Sequence, residues 1–368
     1  MVYAHRDDIF DADTHMMEHP DWIHQFADKS IRDKLEPIAE GDKDVHLRID
    51  NAIKGFEERQ NSPDVLEKAK KEFMGWKHKG WDGLGAFNAE ERKLANDLLG
   101  FKAHLVFPTS AFDQVLAAKE PKVILGGVEA LNKGMAEFCS VDKRMFGAAY
   151  IPFSHGEEIA LNMLKQSIKQ GSKVILIDTV APKGTKAFTH PDFDIVWREI
   201  QENDITITLH VGADNGWDPV PLSFYNNGSQ VTAHKEGDAP RDALAYMGIS
   251  YNAELFLASM IFDGIFQRFP NLRVGVVELG ASWIISWMKH LDQSYRAFRR
   301  LQDLSQVKLL PSEYVMKHIK ITPFAGEDIG WLLESGAEDL LMFASDYPHH
   351  EGTDDPIARF EKTMIDTS

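Results

Sequence analysis

Residues 340–352 read LLMFASDYPHHEG, and this stretch decides how the chain folds. It starts as an apolar run of the kind that forms a strand buried on both faces. It then changes character, and Asp346, His349, His350 and Glu351 arrive around Pro348. In parallel α/β folds the carboxyl ends of the strands are where sites are built. The abrupt switch therefore marks a strand end that faces a functional rim.

Seven further runs share the apolar or β-branched half of this pattern. They span 8–13, 103–107, 146–151, 173–178, 205–210, 273–278 and 318–322, with 340–345 as the eighth. Amphipathic segments at 156–170, 194–203, 252–269 and 328–336 lie between them. Strand and helix alternating eight times predicts α/β architecture, a (β/α)8 TIM barrel. A doubly wound open sheet would carry a Gly-rich phosphate turn after its first strand; here HMMEHPDW (15–22) follows instead. One barrel domain is expected over 1–368. Residues 16–102 form a helical insertion too long for a loop, read as a cap or lid that leaves from the active rim.

The strand ends carry the chemistry. Asp11, Asp13 and His15 alternate, which predicts one shared face, with Phe10 and Ala12 covered by helices on the other. The fifth run ends in His210, the sixth in Glu278 and the eighth in Asp346 with His349 beyond. Asp346 alone would read as a helix N-cap. Several buried carboxylates and imidazoles converging on one rim read instead as a shell for a divalent metal, made of Asp13, His15, His210, Glu278 and Asp346. Zinc, manganese and iron all suit these donors.

A net charge of −17 argues against a nucleic-acid or anionic-membrane partner. The single cysteine, Cys139, excludes disulfide frameworks and cysteine-based zinc sites and suits a reducing compartment. No signal peptide or membrane-spanning run is read, so a soluble cytoplasmic protein is expected. No G-x-S-x-G elbow and no phosphate-cradling loop occur, which removes serine hydrolysis and nucleotide chemistry from the leading readings.

Asp11-x-Asp13-x-His15, His210 after a mid-chain strand, and Ser345-Asp346-Tyr347-Pro348-His349 near the end resemble the amidohydrolase-2 group of the amidohydrolase superfamily, the relatives of aminocarboxymuconate semialdehyde decarboxylase. The resemblance runs from about residue 8 to 360. It implies a metal-dependent barrel whose ligands fall on Asp13, His15, His210 and Asp346. It also implies hydrolysis or non-oxidative C–C cleavage, decarboxylation included, of a small organic acid or amide. Two positions depart from the group's pattern. Asp13 and Glu278 stand where a histidine is usual. These harder donors favour manganese or iron and leave room for a second ion, with Glu18 and His349 as its ligands. Carboxylate-rich members of the superfamily that are dinuclear iron or manganese–iron oxygenases resemble this departure. A catalytically silent partner of an active homologue is the third reading.

Asp346, Glu278 and His349 are the expected acid–base groups. Trp81 in the insertion, and Trp217 and Tyr225 in the long loop after His210, are the expected substrate contacts. Assembly with a second copy or a homologous chain is expected, through the apolar helix faces at Trp283–Trp287.

Overall fold

The computed structural model describes residues 2–39, 41–214, 218–228 and 242–364. Its strands are β1 (Phe10–His15), β2 (Ala103–Phe107), β3 (Met145–Ile151), β4 (Val174–Ile177), β5 (Thr206–His210), β6 (Arg273–Val277) and β7 (Ile319–Ile321). The sheet order is β1-β2-β3-β4-β5-β6-β7 and the strand pairs are parallel. Helices separate successive strands, among them Pro121–Ser140, Glu157–Lys169, Asp194–Glu202 and Trp283–Phe298. This is the α/β barrel class expected from the alternation.

The eighth run is not a regular strand. Leu341 makes a single bridge to Ile321, and Tyr347 a single bridge to Thr14. Asp346 lies between them in the left-handed region, at φ 51°. That turn breaks the extended backbone that continuous pairing needs. The expected helix 252–269 is also divided, into Tyr251–Phe262 and Ile265–Arg268. Gly264 sits between the halves with φ 74°, and hydrophobic periodicity does not register such a break.

The chain divides into two compact units. One comprises Met1–Tyr150, Lys169–Ser172 and Phe343–Arg359; the other comprises Ile151–Ile168, Lys173–Met342 and Phe360–Ser368. In the first unit, β1 pairs Asp11 with His104 and then Thr14 with Val106. Three steps on β1 thus oppose two on β2, a bulge that alters which side chains share a face. Strict alternation across β1 therefore does not hold. Phe10, expected under helices, is 57% exposed, with the Lys102 ammonium 5.5 Å from its ring.

The insertion after β1 is helical, as expected. It holds Lys43–Asn61, Pro63–Glu72 and Ala89–Leu99, with short turns between. Asp42 and Asn88 cap the first and last of these through side-chain bonds to free amides. Phe73, Met74, Leu84, Ala95 and Leu99 from the insertion pack with Phe101, Tyr347 and Ile357. The Tyr347 hydroxyl donates to the Leu84 carbonyl at 2.8 Å. The Lys79 ammonium and the Arg92 guanidinium lie 5.1 and 5.2 Å from the centre of its ring. Arg92 also donates to the His15 carbonyl at 2.9 Å, which ties the insertion to the end of β1. The turn before Ala89–Leu99 needs Gly85, whose φ is +71° and whose missing Cβ would stand 2.2 Å from the Arg92 Cα.

In the second unit β4 to β7 pair in register, His210 lying opposite Val277. Its core includes Phe153, Phe188, Phe193 and Trp197, whose rings meet edge-on or stacked. Glu327 accepts backbone amides from Ala281 and Ser282 after β6 and from Phe324 after β7. One carboxylate thereby fixes two loops at the carboxyl end of this unit's strands.

Replacing Gly85 by Ala should lower stability by more than about 2 kcal/mol, because left-handed strain adds to a backbone clash. Replacing Gly41 by Ala, at φ +81° with nothing within 4 Å, should cost about 1 kcal/mol. Urea midpoints for the two variants test the difference, and equal shifts would refute the close approach at Gly85.

Candidate metal centre

Each ligand-competent side chain is delivered by a strand end. In the first unit β1 supplies Asp13 and His15, and the segment that pairs with β1 supplies Asp346 and His349. All four are buried. His15 Nε2 lies 3.2 Å from Asp13 Oδ1 and 3.6 Å from Asp346 Oδ1. His349 Nδ1 lies 3.1 Å from Asp346 Oδ1. The His15 and His349 rings stack at 3.8 Å between centroids. One ligand atom from each of His15, Asp346 and His349 falls within 4.8 Å of the others.

These spacings provide a fit test for an ion. Two donors each about 2.1 Å from one cation stand roughly 3.0–4.2 Å apart, for angles from right to straight. The separations of 3.1, 3.2 and 3.6 Å fall in that interval. Imidazole nitrogens and carboxylate oxygens gathered in a buried space match a divalent metal in donor chemistry as well.

The second unit carries His210 and Glu278. His210 Nδ1 lies 3.1 Å from the Val211 carbonyl, and a carbonyl can only accept. Nδ1 therefore holds the proton, and the lone pair sits on Nε2. That nitrogen is 3.5 Å from Glu278 Oε2. Two acceptors facing each other at this distance again suit a cation. Glu278 has φ 53°, and its amide donates to Thr322 Oγ1 at 3.0 Å. Asp346 repeats the device, with φ 51° and its amide on the Asp13 carbonyl at 2.9 Å. Both carboxylates thus hang from left-handed backbone, a conformation that costs a non-glycine residue about 1–2 kcal/mol.

Asp11, placed by alternation beside Asp13, is turned elsewhere by the β1 bulge. Its Oδ1 accepts the Ser345 amide at 2.8 Å and its Oδ2 the Ser345 hydroxyl at 2.5 Å. Glu18 engages both oxygens with the start of the Ser110–Leu116 helix, taking the Thr109 amide at 3.1 Å and the Ala111 amide at 3.2 Å. It stands outside the group formed by His15, Asp346 and His349. Burial pushes its carboxyl up to about 7, against the opposing pull of those amides. Trp81 donates its indole N–H to the Glu18 carbonyl at 2.9 Å. Tyr225 closes the short turn Leu222–Tyr225 and is half-buried. Trp217 lies outside the described residues.

The sequence reading passed over three residues here. Thr109 lies just beyond β2 and contacts both His15 and His349. Its strand-end position was the available signal, but threonine is not a metal donor. Arg92 lies deep in the insertion, where nothing in the local pattern points to β1. Lys79 is buried, and among the described residues none hydrogen-bonds its ammonium. Burial draws its pKa down to about 8, while the Asp346 charge opposes the shift.

Comparisons with known proteins agree with this frame. The family profile described as amidohydrolase matches residues 77–363. An amidohydrolase from Mycobacterium avium subsp. paratuberculosis superposes with a TM-score of 0.72 at 17% identity, covering 99% of this chain and 94% of that one. A 5-carboxyvanillate decarboxylase from Novosphingobium aromaticivorans, solved with manganese and 3-methoxy-4-hydroxy-5-nitrobenzoic acid, gives 0.63 at 17% identity over 100% and 94%. A dihydroxybenzoic acid decarboxylase from Polaromonas, solved with manganese and 2-nitroresorcinol, gives 0.58 at 17% identity over 77% and 83%. Fold and strand-end donors together define a TIM barrel of the metal-site type. The chain belongs to the amidohydrolase family. No helix among the described residues is long and apolar enough to cross a membrane.

The raised Glu18 carboxyl has a definite sign in stability. The folded state keeps the proton up to about pH 7, whereas the unfolded chain loses it near 4.5. Its contribution is full below the lower value and disappears as pH rises through the upper one. Comparing metal-free wild type with Glu18→Gln by urea unfolding, the wild-type advantage should shrink by about 3 kcal/mol from pH 4.5 to 7.5. A pH-independent difference would contradict this.

Proposed function

We propose that this chain is a metal-dependent lyase or hydrolase of small organic acids. Non-oxidative decarboxylation of an aromatic or unsaturated carboxylate is the reaction best supported. The convergence of buried acceptors from His15, Asp346 and His349 carries the reading. Family membership supports the general chemistry. The manganese-containing decarboxylases from Novosphingobium and Polaromonas support the particular reaction and favour manganese over zinc.

In this reading Asp13, His15 and Asp346 hold the ion, and His210 with Glu278 are the donors that the second unit offers. A bound divalent cation supplies positive charge that draws in the carboxylate and neighbouring hydroxyl oxygens of a substrate. Asp346 takes a proton from the acidic oxygen of the substrate and delivers it to the carbon as the bond to the carboxylate breaks and CO2 leaves, and Glu278 is the second proton carrier. The left-handed backbone at both residues presets the carboxylates, so little reorganisation is needed during reaction. Burial of all these groups keeps water out and strengthens their fields.

Residues 16–102 act as the cover on the substrate side. The Gly80 amide donates to the Pro348 carbonyl at 2.7 Å, and Trp81 binds the Glu18 carbonyl. The insertion is thus fastened to the segments that bear the ligands. Trp81 provides apolar contact to the substrate. Buried Cys139, the sole cysteine, suits a cytoplasmic setting, in which the chain associates with itself or a homologue.

Protein stripped with EDTA should take up about one equivalent of manganese. His15→Ala and Asp346→Asn should each weaken that uptake at least tenfold in calorimetric titrations. Glu278→Gln should keep the fold and slow CO2 release from hydroxylated benzoates by roughly 100- to 1,000-fold. Unchanged manganese isotherms in both ligand variants would remove these residues from the centre.

A further inference from the structure

Thr109 occupies a position where threonine normally caps a helix. It immediately precedes the helix Ser110–Leu116, yet its side chain makes no capping bond. Glu18 takes that duty, accepting the Thr109 and Ala111 amides. The hydroxyl is thereby released from the helix and turned toward two imidazoles. Thr109 Oγ1 stands 3.2 Å from His15 Nδ1 and 3.0 Å from His349 Nε2. The opposite nitrogens, His15 Nε2 and His349 Nδ1, are the ones that approach Asp346, at 3.6 and 3.1 Å.

We infer that Thr109 is a positioning residue whose single hydroxyl oxygen accepts an N–H from each ring and so aims an unprotonated nitrogen of each at the Asp346 carboxylate. A neutral imidazole has one N–H and one lone pair, so placing the proton on one nitrogen frees the other. A hydroxyl oxygen has two lone pairs and serves both rings at once. Donation to one oxygen also holds the two stacked rings in a common orientation. The inference rests on the metal-centre reading above and adds to it the residue that sets both tautomers. It also assigns His349 a ligand-ready nitrogen in place of a proton directed at Asp346.

The test compares Thr109→Val, which keeps the branched shape without the acceptor, with Thr109→Ser, which keeps the acceptor. Manganese is titrated into EDTA-stripped protein and thermal unfolding is followed in parallel. Valine should weaken manganese binding about 10- to 100-fold with little change in Tm, because Glu18 retains the cap. Serine should remain within about threefold of wild type. If valine does not fold, Thr109→Ala takes its place and must show the same loss relative to serine. A folded valine or alanine variant that binds like wild type overturns the role of Thr109 and leaves the metal reading intact. A wild-type protein that takes up no manganese overturns both.

Discussion

The docking of residues 343–347 along β1 is the constraint on which the first unit depends. Asp11 holds Ser345 by two bonds, at 2.8 and 2.5 Å. On either side, Ala12 donates to Phe343, Asp346 to the Asp13 carbonyl, and His15 to Tyr347. These bonds join positions more than 300 residues apart in sequence and set Asp13, His15, Asp346 and His349 in one place. Asp11 is therefore not a fifth donor. It is the clamp that sets the register of the others, and a buried carboxylate satisfied twice by one serine is well suited to that task.

The donors are set at two levels. Strand ends bring metal-competent side chains forward, as they do in parallel barrels generally. Loops then fix the angle of each side chain. Left-handed backbone aims Glu278 and Asp346, and the Val211 carbonyl sets the tautomer of His210. Glu327 gathers three amides from the loops after β6 and β7. Arg92, reaching from the insertion to the His15 carbonyl, does for β1 what Glu327 does for the later strands.

The sequence revealed the parts of this arrangement that repeat. β2 lies at 103–107 as alternation and β-branching indicate, and six other strands fall within two residues of their expected limits. His15, His210, Glu278 and Asp346 stand out because charged or imidazole groups end apolar runs. Features that depend on one backbone angle or one distant partner were not legible. The β1 bulge, the interrupted eighth strand at Asp346 and the break at Gly264 each turn on a local dihedral that periodicity averages away. Thr109, Lys79 and Arg92 acquire meaning only from residues far along the chain. The turn of Glu18 toward a helix start was hidden for the same reason.

The position of Tyr347 in the chain bears on biogenesis. Its ring lies in the same cluster as Phe73, Met74, Leu84 and Leu99, between Lys79 and Arg92, with Ile357 alongside. The ribosome makes the insertion some 250 residues before it makes this tyrosine. Until then those apolar side chains lack their central partner, and contacts of such long sequence separation form slowly. The nascent protein consequently carries an unfinished hydrophobic surface through most of its synthesis, the condition under which chaperone capture competes with aggregation.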